Sequence, residues 1–179
     1  MDAWEELPPH EYDRAWGLFT ATFRFRPSIH KQDWPGIVEP VSSTTYDISE
    51  AYEHDDPWLR PIRGTVNQSF LTYFRTIVPP GGWFYAMDWH VGWRFYPHRD
   101  FDSRDVRAWG VSVLPHGDYT VFLTPDLRDG LFGHPWEGSV CIFGQTLPGL
   151  VKANPPALFN KPVRRDGMSF PTTGERGLP

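Results

Sequence analysis

Two pairs of side chains in this sequence have the types and spacing for acid–base work. In YAMDWHVGWRFYPH, Tyr85 to His98, Asp88 and His90 lie two apart. On a strand that spacing turns both side chains to one face. There the carboxylate would orient the imidazole and raise its basicity, as a general base requires. Arg94, beyond the break at Gly92, adds an anion-binding donor to the same face. The second pair is His134 and Glu137 in GLFGHPWEGSVCIFG, Gly130 to Gly144, where the two can meet across a turn. Trp89, Trp93 and Trp136 sit beside these polar groups, and aromatics so placed suit the wall of a site for a flat ligand.

Each pair has a plainer explanation. Asp88 and His90 fit a sheet face turning to solvent at its end. Phe132 and Trp136 fit a loop stapled to the sheet, with Gly130, Gly133 and Gly138 supplying backbone freedom. The reading adopted for the loop joins both: the aromatics staple it, and His134 and Glu137 are held rigidly in a cleft. On that reading Trp136→Ala costs stability and His134→Ala leaves it nearly unchanged. Asp88, His90, His134 and Glu137 are the candidate catalytic residues; Trp89, Trp93, Arg94 and Trp136 are the candidates for binding substrate.

Other chemistries find no support in the residue patterns. The seven histidines (His10, His30, His54, His90, His98, His116, His134) form no HxH, HxxxH or HExxH spacing, so no metal is expected. GxGxxG, GxxxxGK and GxSxG are absent, so neither a nucleotide cofactor nor that type of hydrolase is expected. Cys141 rules out an intramolecular disulfide, suits a reducing cytoplasm, and sits in the apolar run Val140–Phe143 as a small hydrophobe. With 17 Lys and Arg against 22 Asp and Glu the net charge is −5, and no basic stripe points to nucleic acid or an anionic membrane. The N-terminus lacks a signal-peptide pattern and no window is apolar enough to span a bilayer. The expectation is a cytoplasmic protein whose partner is a small molecule or another protein, of unknown oligomeric state. Arg164–Arg165 near the C-terminus is too short a run to matter for binding.

The elements that must position these residues follow from periodicity. Tyr12, Trp16, Phe19 and Phe23 recur at helical spacing after Pro8-Pro9, and Pro27 ends the pattern. Ser42–Ser49 is β-prone but alternates weakly, so an edge strand is expected. Thr65 fits an N-cap for a second helix carrying Val66, Phe70, Phe74 and Ile77, stopped by Pro79-Pro80-Gly81-Gly82. From Trp83 the period is two, with Trp83, Tyr85, Met87 and Trp89 on one face. After Gly92 it resumes through Tyr96. Ala108–Leu114 and Tyr119–Thr124 read as a hairpin, Pro125–Gly138 as a loop, and Ser139–Phe143 as a strand. Thr146–Lys152 allows one helical turn. The strands carry no crossover helices, so the fold class is α+β: an antiparallel sheet of meanders and hairpins with about two helices on one face. Residues 1–155 form a single domain, and 156–179 a Pro-, Gly- and Arg-rich tail that orders only on docking.

The stretches WFYAMDWHVGWRFYPH and GDYTVFLTPDLRDGLFGHPWEGSVCIFG together resemble the bacterial domain-of-unknown-function family 2716. The features shared are a strand with spaced Trp, Asp and His, a Gly-Asp-Tyr hairpin, and a Phe-Gly-His-Pro-Trp-Glu loop before a final strand. The resemblance runs over roughly Trp4 to Leu150 and is strongest from Gly117 to Gly144. It implies a single bacterial domain whose most distinctive feature is the loop around His134, and it implies no activity.

Two functions remain in view. One is an aromatic-lined small-molecule site performing cofactor-independent acid–base chemistry of the isomerase, cyclase or lyase type. The other is a non-enzymatic binding or immunity-type protein that blocks a protein partner through an acidic, Trp-rich surface. Depth separates them: a pocket reaching both histidines favours the first, and flat exposure of the same residues favours the second.

Overall fold

Strand alternation between two apolar cores organises the molecule. In the computed structural model, which describes residues 2–53 and 56–170, Phe84 and Ala86 enter one core while Tyr85 and Met87 enter the other. Such two-sided burial needs cover on both faces of the sheet. Helix α1 (Pro9–Phe23) supplies one cover through Ala15, Phe19 and Phe23. Helices α2 (Asp56–Ile77) and α3 (Leu147–Ala153) supply the other through Val66, Phe70, Phe74, Leu147 and Val151. The class is α+β, as expected, but the helices number three among the described residues and occupy both faces rather than one.

Among the described residues the sheet contains nine strands: β1 (Trp4–Glu6), β2 (Ser43–Asp47), β3 (Phe84–Met87), β4 (Gly92–Phe95), β5 (Thr120–Leu123), β6 (Asp129–His134), β7 (Ser139–Gly144), β8 (Pro162–Arg165) and β9 (Met168–Ser169). Their order is β1-β4-β3-β5-β6-β7-β2-β8-β9, with every pairing antiparallel.

Four local expectations change. Pro125–Gly138 is not one loop: β6 occupies its middle, flanked by tight turns. Its glycines hid it, and the sheet requires them, since a Cβ at Gly130 would lie 2.5 Å from the Phe122 carbonyl and one at Gly133 would lie 3.0 Å from Pro115. Ala108–Leu114 is not a strand. It is an irregular segment whose Trp109, Val111, Val113 and Leu114 are buried against the α2 side of the sheet, with Asn67 Oδ1 accepting the Val113 N–H at 3.0 Å. Thr65 does not cap α2, which begins nine residues earlier; its hydroxyl donates to the Pro61 carbonyl at 3.0 Å. Trp58, Leu59 and Ile62 pack into the core, and that packing recruits the earlier turns. Finally, β2 is an interior strand between β7 and β8, not an edge.

The interior position of β2 arises because part of the expected tail, up to Phe170, is placed on the sheet as the β8–β9 hairpin. Residues 171–179 of that segment, and His54, lie outside the described residues. Among the described residues no helix is long and apolar enough to cross a membrane.

Candidate functional site

The loop that opened the question of chemistry turns inward. His134, the last residue of β6, is fully buried. Rings of Tyr119, Trp34, Phe132 and Trp136 surround it at centroid distances of 5.1, 5.5, 6.0 and 6.0 Å. Its Nδ1 accepts the Glu137 backbone N–H at 3.1 Å, which leaves the proton of the neutral ring on Nε2. Among the described residues that nitrogen has no hydrogen-bond partner. Burial among rings lowers the pKa of His134 to about 4, against the opposing charge of Glu137, so the imidazole is neutral at pH 7.

Glu137 does not turn its carboxylate to His134. Arg164 on β8 grips it with two hydrogen bonds of 2.6 and 2.9 Å, and Ser139 Oγ donates to it at 2.6 Å. The Nε of Arg164 donates to Glu39 at 2.8 Å, and the same Glu39 oxygen accepts from Thr45 at 2.8 Å. The side chains of Arg164, Glu39 and Glu137 are 13, 1 and 13% exposed. Desolvation alone would lower the Arg164 pKa, but its hydrogen bonds to Glu137 and Glu39 outweigh that and raise it. This is a buried clasp joining three chain segments, and its arginine was dismissed in the sequence as part of a short basic pair.

Asp88 and His90 do not share a strand face either. Strand β3 stops at Met87, and Asp88–Val91 is the turn to β4, closed by a 3.0 Å bond from Asp88 N to Val91 O. Asp88 Oδ1 accepts the backbone N–H groups of His90 and Val91 at 2.7 and 2.8 Å, the local bonding that suits Asp to turns. The imidazole of His90 instead lies 3.2 Å from Asp118, and is 78% exposed. Arg94 is tied to Glu11 of α1 through both carboxylate oxygens and stands over the Trp83 ring. Trp93 packs edge-on to Trp4 on the sheet face that α2 covers.

Three of the eight candidates, Trp89, His90 and Trp136, do come together. They line an open groove of about 500 Å³ with His30, Asp118 and Tyr119. Trp89 and Trp136 are 46 and 42% exposed. Tyr119 lies between them at 6.0 Å from Trp89 and 5.0 Å from Trp136. Its hydroxyl is held by Ser28, accepting from its N–H at 2.8 Å and donating to its carbonyl at 3.2 Å. Asp118 is partly desolvated, which raises its pKa, and the nearby Asp88 adds to the rise. Among the described residues no Lys or Arg lines the groove. Asp118 and Tyr119 had only turn and strand roles in the sequence, and nothing in their local spacing, or in that of His30, marks them.

A tryptophan pair over a single carboxylate can stack a flat ring and attract a cation to the ring faces. Among the described residues no group of three or more His, Cys, Asp or Glu is placed to hold a metal ion. Cys141 is buried, and burial pushes its thiol pKa up.

The model of a family described as "Protein of unknown function (DUF2716)" matches residues 6–148, a span that includes the groove, the His134 box and α1 to β7. A curated relative, the uncharacterized protein YxiI of Bacillus subtilis (strain 168), is 29% identical over 164 residues, covering 89% of this chain and 98% of that one. No solved structure matches the chain.

Proposed function

For a chain that belongs to the DUF2716 family, whose description assigns no function, we propose a binding role centred on the open groove between Trp89 and Trp136. The ligand class is a small molecule with a flat apolar body and a positive charge. The observation that carries this reading is the pair of half-exposed tryptophans lining one groove above Asp118. Large aromatics on a surface are enriched where partners are gripped. A cation over a Trp face gains about 0.5–2 kcal/mol, more as water is excluded. A bound cation also offsets the desolvation that Asp118 already bears.

Acid–base catalysis by the four residues expected from the sequence has little geometry behind it. His134 is enclosed, Glu137 is committed to Arg164, and Asp88 serves a turn. The histidine–carboxylate pair that does line the groove is His90 with Asp118, and a proton transfer on the ligand would fall to it.

A protein partner is the second reading, favoured by one observation. Ile29, 60% exposed, extends the apolar rim beyond the two tryptophans.

Tryptophan fluorescence during titration with benzyltrimethylammonium tests the proposal. Saturable quenching is expected, with the uncharged isostere neopentylbenzene about tenfold weaker and Trp136→Ala or Trp89→Ala weaker by a similar factor. Equal response to charged and neutral probes, or no saturation, rejects the small-cation reading. Ile29→Asp sorts the protein alternative: it should abolish capture of a protein partner and leave the small probe bound.

A further inference from the structure

One wall of the tryptophan groove is a stretch of chain with little packing of its own. Residues 27–30 line the groove; Pro27, Ile29 and His30 are exposed and Ser28 is half-buried. Ring contacts anchor the chain on either side of this stretch, Phe25 against Tyr119 at 5.1 Å and Trp34 against His134 at 5.5 Å. Between those anchors the loop bonds mainly to itself. Ser28 Oγ donates to Asp33 at 2.7 Å and accepts the His30 N–H at 3.1 Å, and the Asp33 N–H donates to the His30 carbonyl at 3.0 Å. Among the described residues the hydrogen bonds of residues 27–36 stay within 26–36, with Tyr119 as the exception.

That exception is a rigid one. Tyr119 directly precedes β5, is 2% exposed, and stacks on Phe132 of β6 at 5.6 Å with the rings 17° apart. Its hydroxyl spends both of its bonding roles on one residue 91 positions away, accepting the Ser28 N–H at 2.8 Å and donating to the Ser28 carbonyl at 3.2 Å. A neighbouring strand offers a residue the same pair of bonds. Burial raises the Tyr119 pKa, so the hydroxyl keeps the proton it donates at neutral pH. The ring that lies between Trp89 and Trp136 thus also ties down the 27–30 wall. Without that tie, a loop with few buried contacts opens locally at little cost, and a wall that has to be ordered when a ligand arrives subtracts from affinity.

We propose that the Tyr119 hydroxyl is a positioning group for the groove: by pinning Ser28 it holds residues 27–30 in place for the flat body of the ligand. The cation is left to the tryptophan faces and Asp118. Tyr119 therefore sets how well the groove tells a ligand with a flat body from a bare cation. This inference rests on the binding role proposed above.

Amide hydrogen exchange and fluorescence titration of the full chain test this together. The Ser28 amide should be protected in the native protein and lose about tenfold or more of that protection in Tyr119→Phe, which keeps the ring and removes the hydroxyl. Benzyltrimethylammonium should bind Tyr119→Phe about fivefold more weakly, because the wall must then be ordered at binding. Tetramethylammonium, which has no flat body, should bind both proteins alike. Ser28→Ala removes the side-chain bonds but keeps the amide, and should leave both probes unaffected. Melting followed by circular dichroism checks that Tyr119→Phe folds; if it does not, the two probes are compared in Ser28→Pro, which deletes the amide donor within an exposed loop. Undiminished protection of Ser28 in Tyr119→Phe, or undiminished affinity for benzyltrimethylammonium, overturns the proposal. So does equal weakening of the two probes, which would mark the hydroxyl as merely structural. Absence of saturable binding by the native protein rejects the groove reading and this role with it, and is told from the other failures because it needs no variant.

Discussion

His134 and Trp136 are two residues apart and their rings are 6.0 Å from each other, yet they belong to different worlds. The histidine is wholly enclosed, and the tryptophan is 42% exposed. Below the turn that joins them, polar groups are directed to partners inside the chain: Glu137 to Arg164, and Arg164 to Glu39. Above it, Trp89, His90, Asp118 and Trp136 face an open groove. Residue type alone suggested chemistry in both places. What separates them is enclosure and the tying of charged side chains to distant segments, which makes the lower region a fastening and the upper one an open surface.

The largest effect should come from cutting the fastening. Arg164→Ala would strand two buried carboxylates, and loss of one partner of a buried pair costs about 3–5 kcal/mol. Urea unfolding should show it; a cost below about 1 kcal/mol would mean that the clasp behaves like a surface ion pair and that the contrast is overdrawn.

The next effect is in pH. The folded pKa of His134, about 4, lies below its ordinary value of 6.5. The unfolded chain therefore takes up the proton first as pH falls. The stability owed to the neutral ring is complete above pH 6.5 and is lost progressively down to about pH 4, by about 3 kcal/mol in all. Urea midpoints between pH 7 and 4 should fall accordingly in the native protein and less steeply in His134→Phe. The charged and ionisable neighbours, Glu137, Arg164 and Tyr119, stay in place in both.

A direct exchange of roles comes third. His134→Ala opens a void in an aromatic box and strands the Glu137 N–H, at an expected cost of about 2–3 kcal/mol. Trp136→Ala, at a half-exposed position, should cost about 1 kcal/mol while weakening the ligand. This reverses the order that the sequence suggested. Thermal melting of the two variants side by side decides between them: if Trp136→Ala is the more damaging, the staple reading returns. Smallest of all should be the response of Cys141, which a thiol reagent should leave unlabelled in the folded protein because burial keeps it a thiol.

Periodicity made much of the scaffold legible. The stripe Tyr12-Trp16-Phe19-Phe23 marks α1, and alternation from Trp83 marks β3, because each pattern reports one apolar face directly. Strand β6 was illegible since its glycines answer to neighbours, the Phe122 carbonyl and Pro115, that lie elsewhere in the chain. The extra turns of α2 were masked by Pro61 and by a threonine that resembled a cap. The candidate site was legible only in part. Trp89, His90 and Trp136 announce themselves by type, whereas Asp118 joins His90 across 28 positions of the chain that no local spacing connects. Arg164 was hidden for the same reason: its partners are distant, and its own segment looks like solvent-exposed tail.

The long reach of that arginine bears on how the protein is made. Glu39 precedes Arg164 by 125 residues and Glu137 precedes it by 27. Both carboxylates are thus added to the chain before the cation that neutralises them. A nascent chain that closed β2 against β7 at that stage would bury unpaired negative charge, at a cost of several kcal/mol per ion. Closing the middle of the sheet is therefore cheapest once the β8–β9 hairpin is in place, because only then is the buried negative charge balanced.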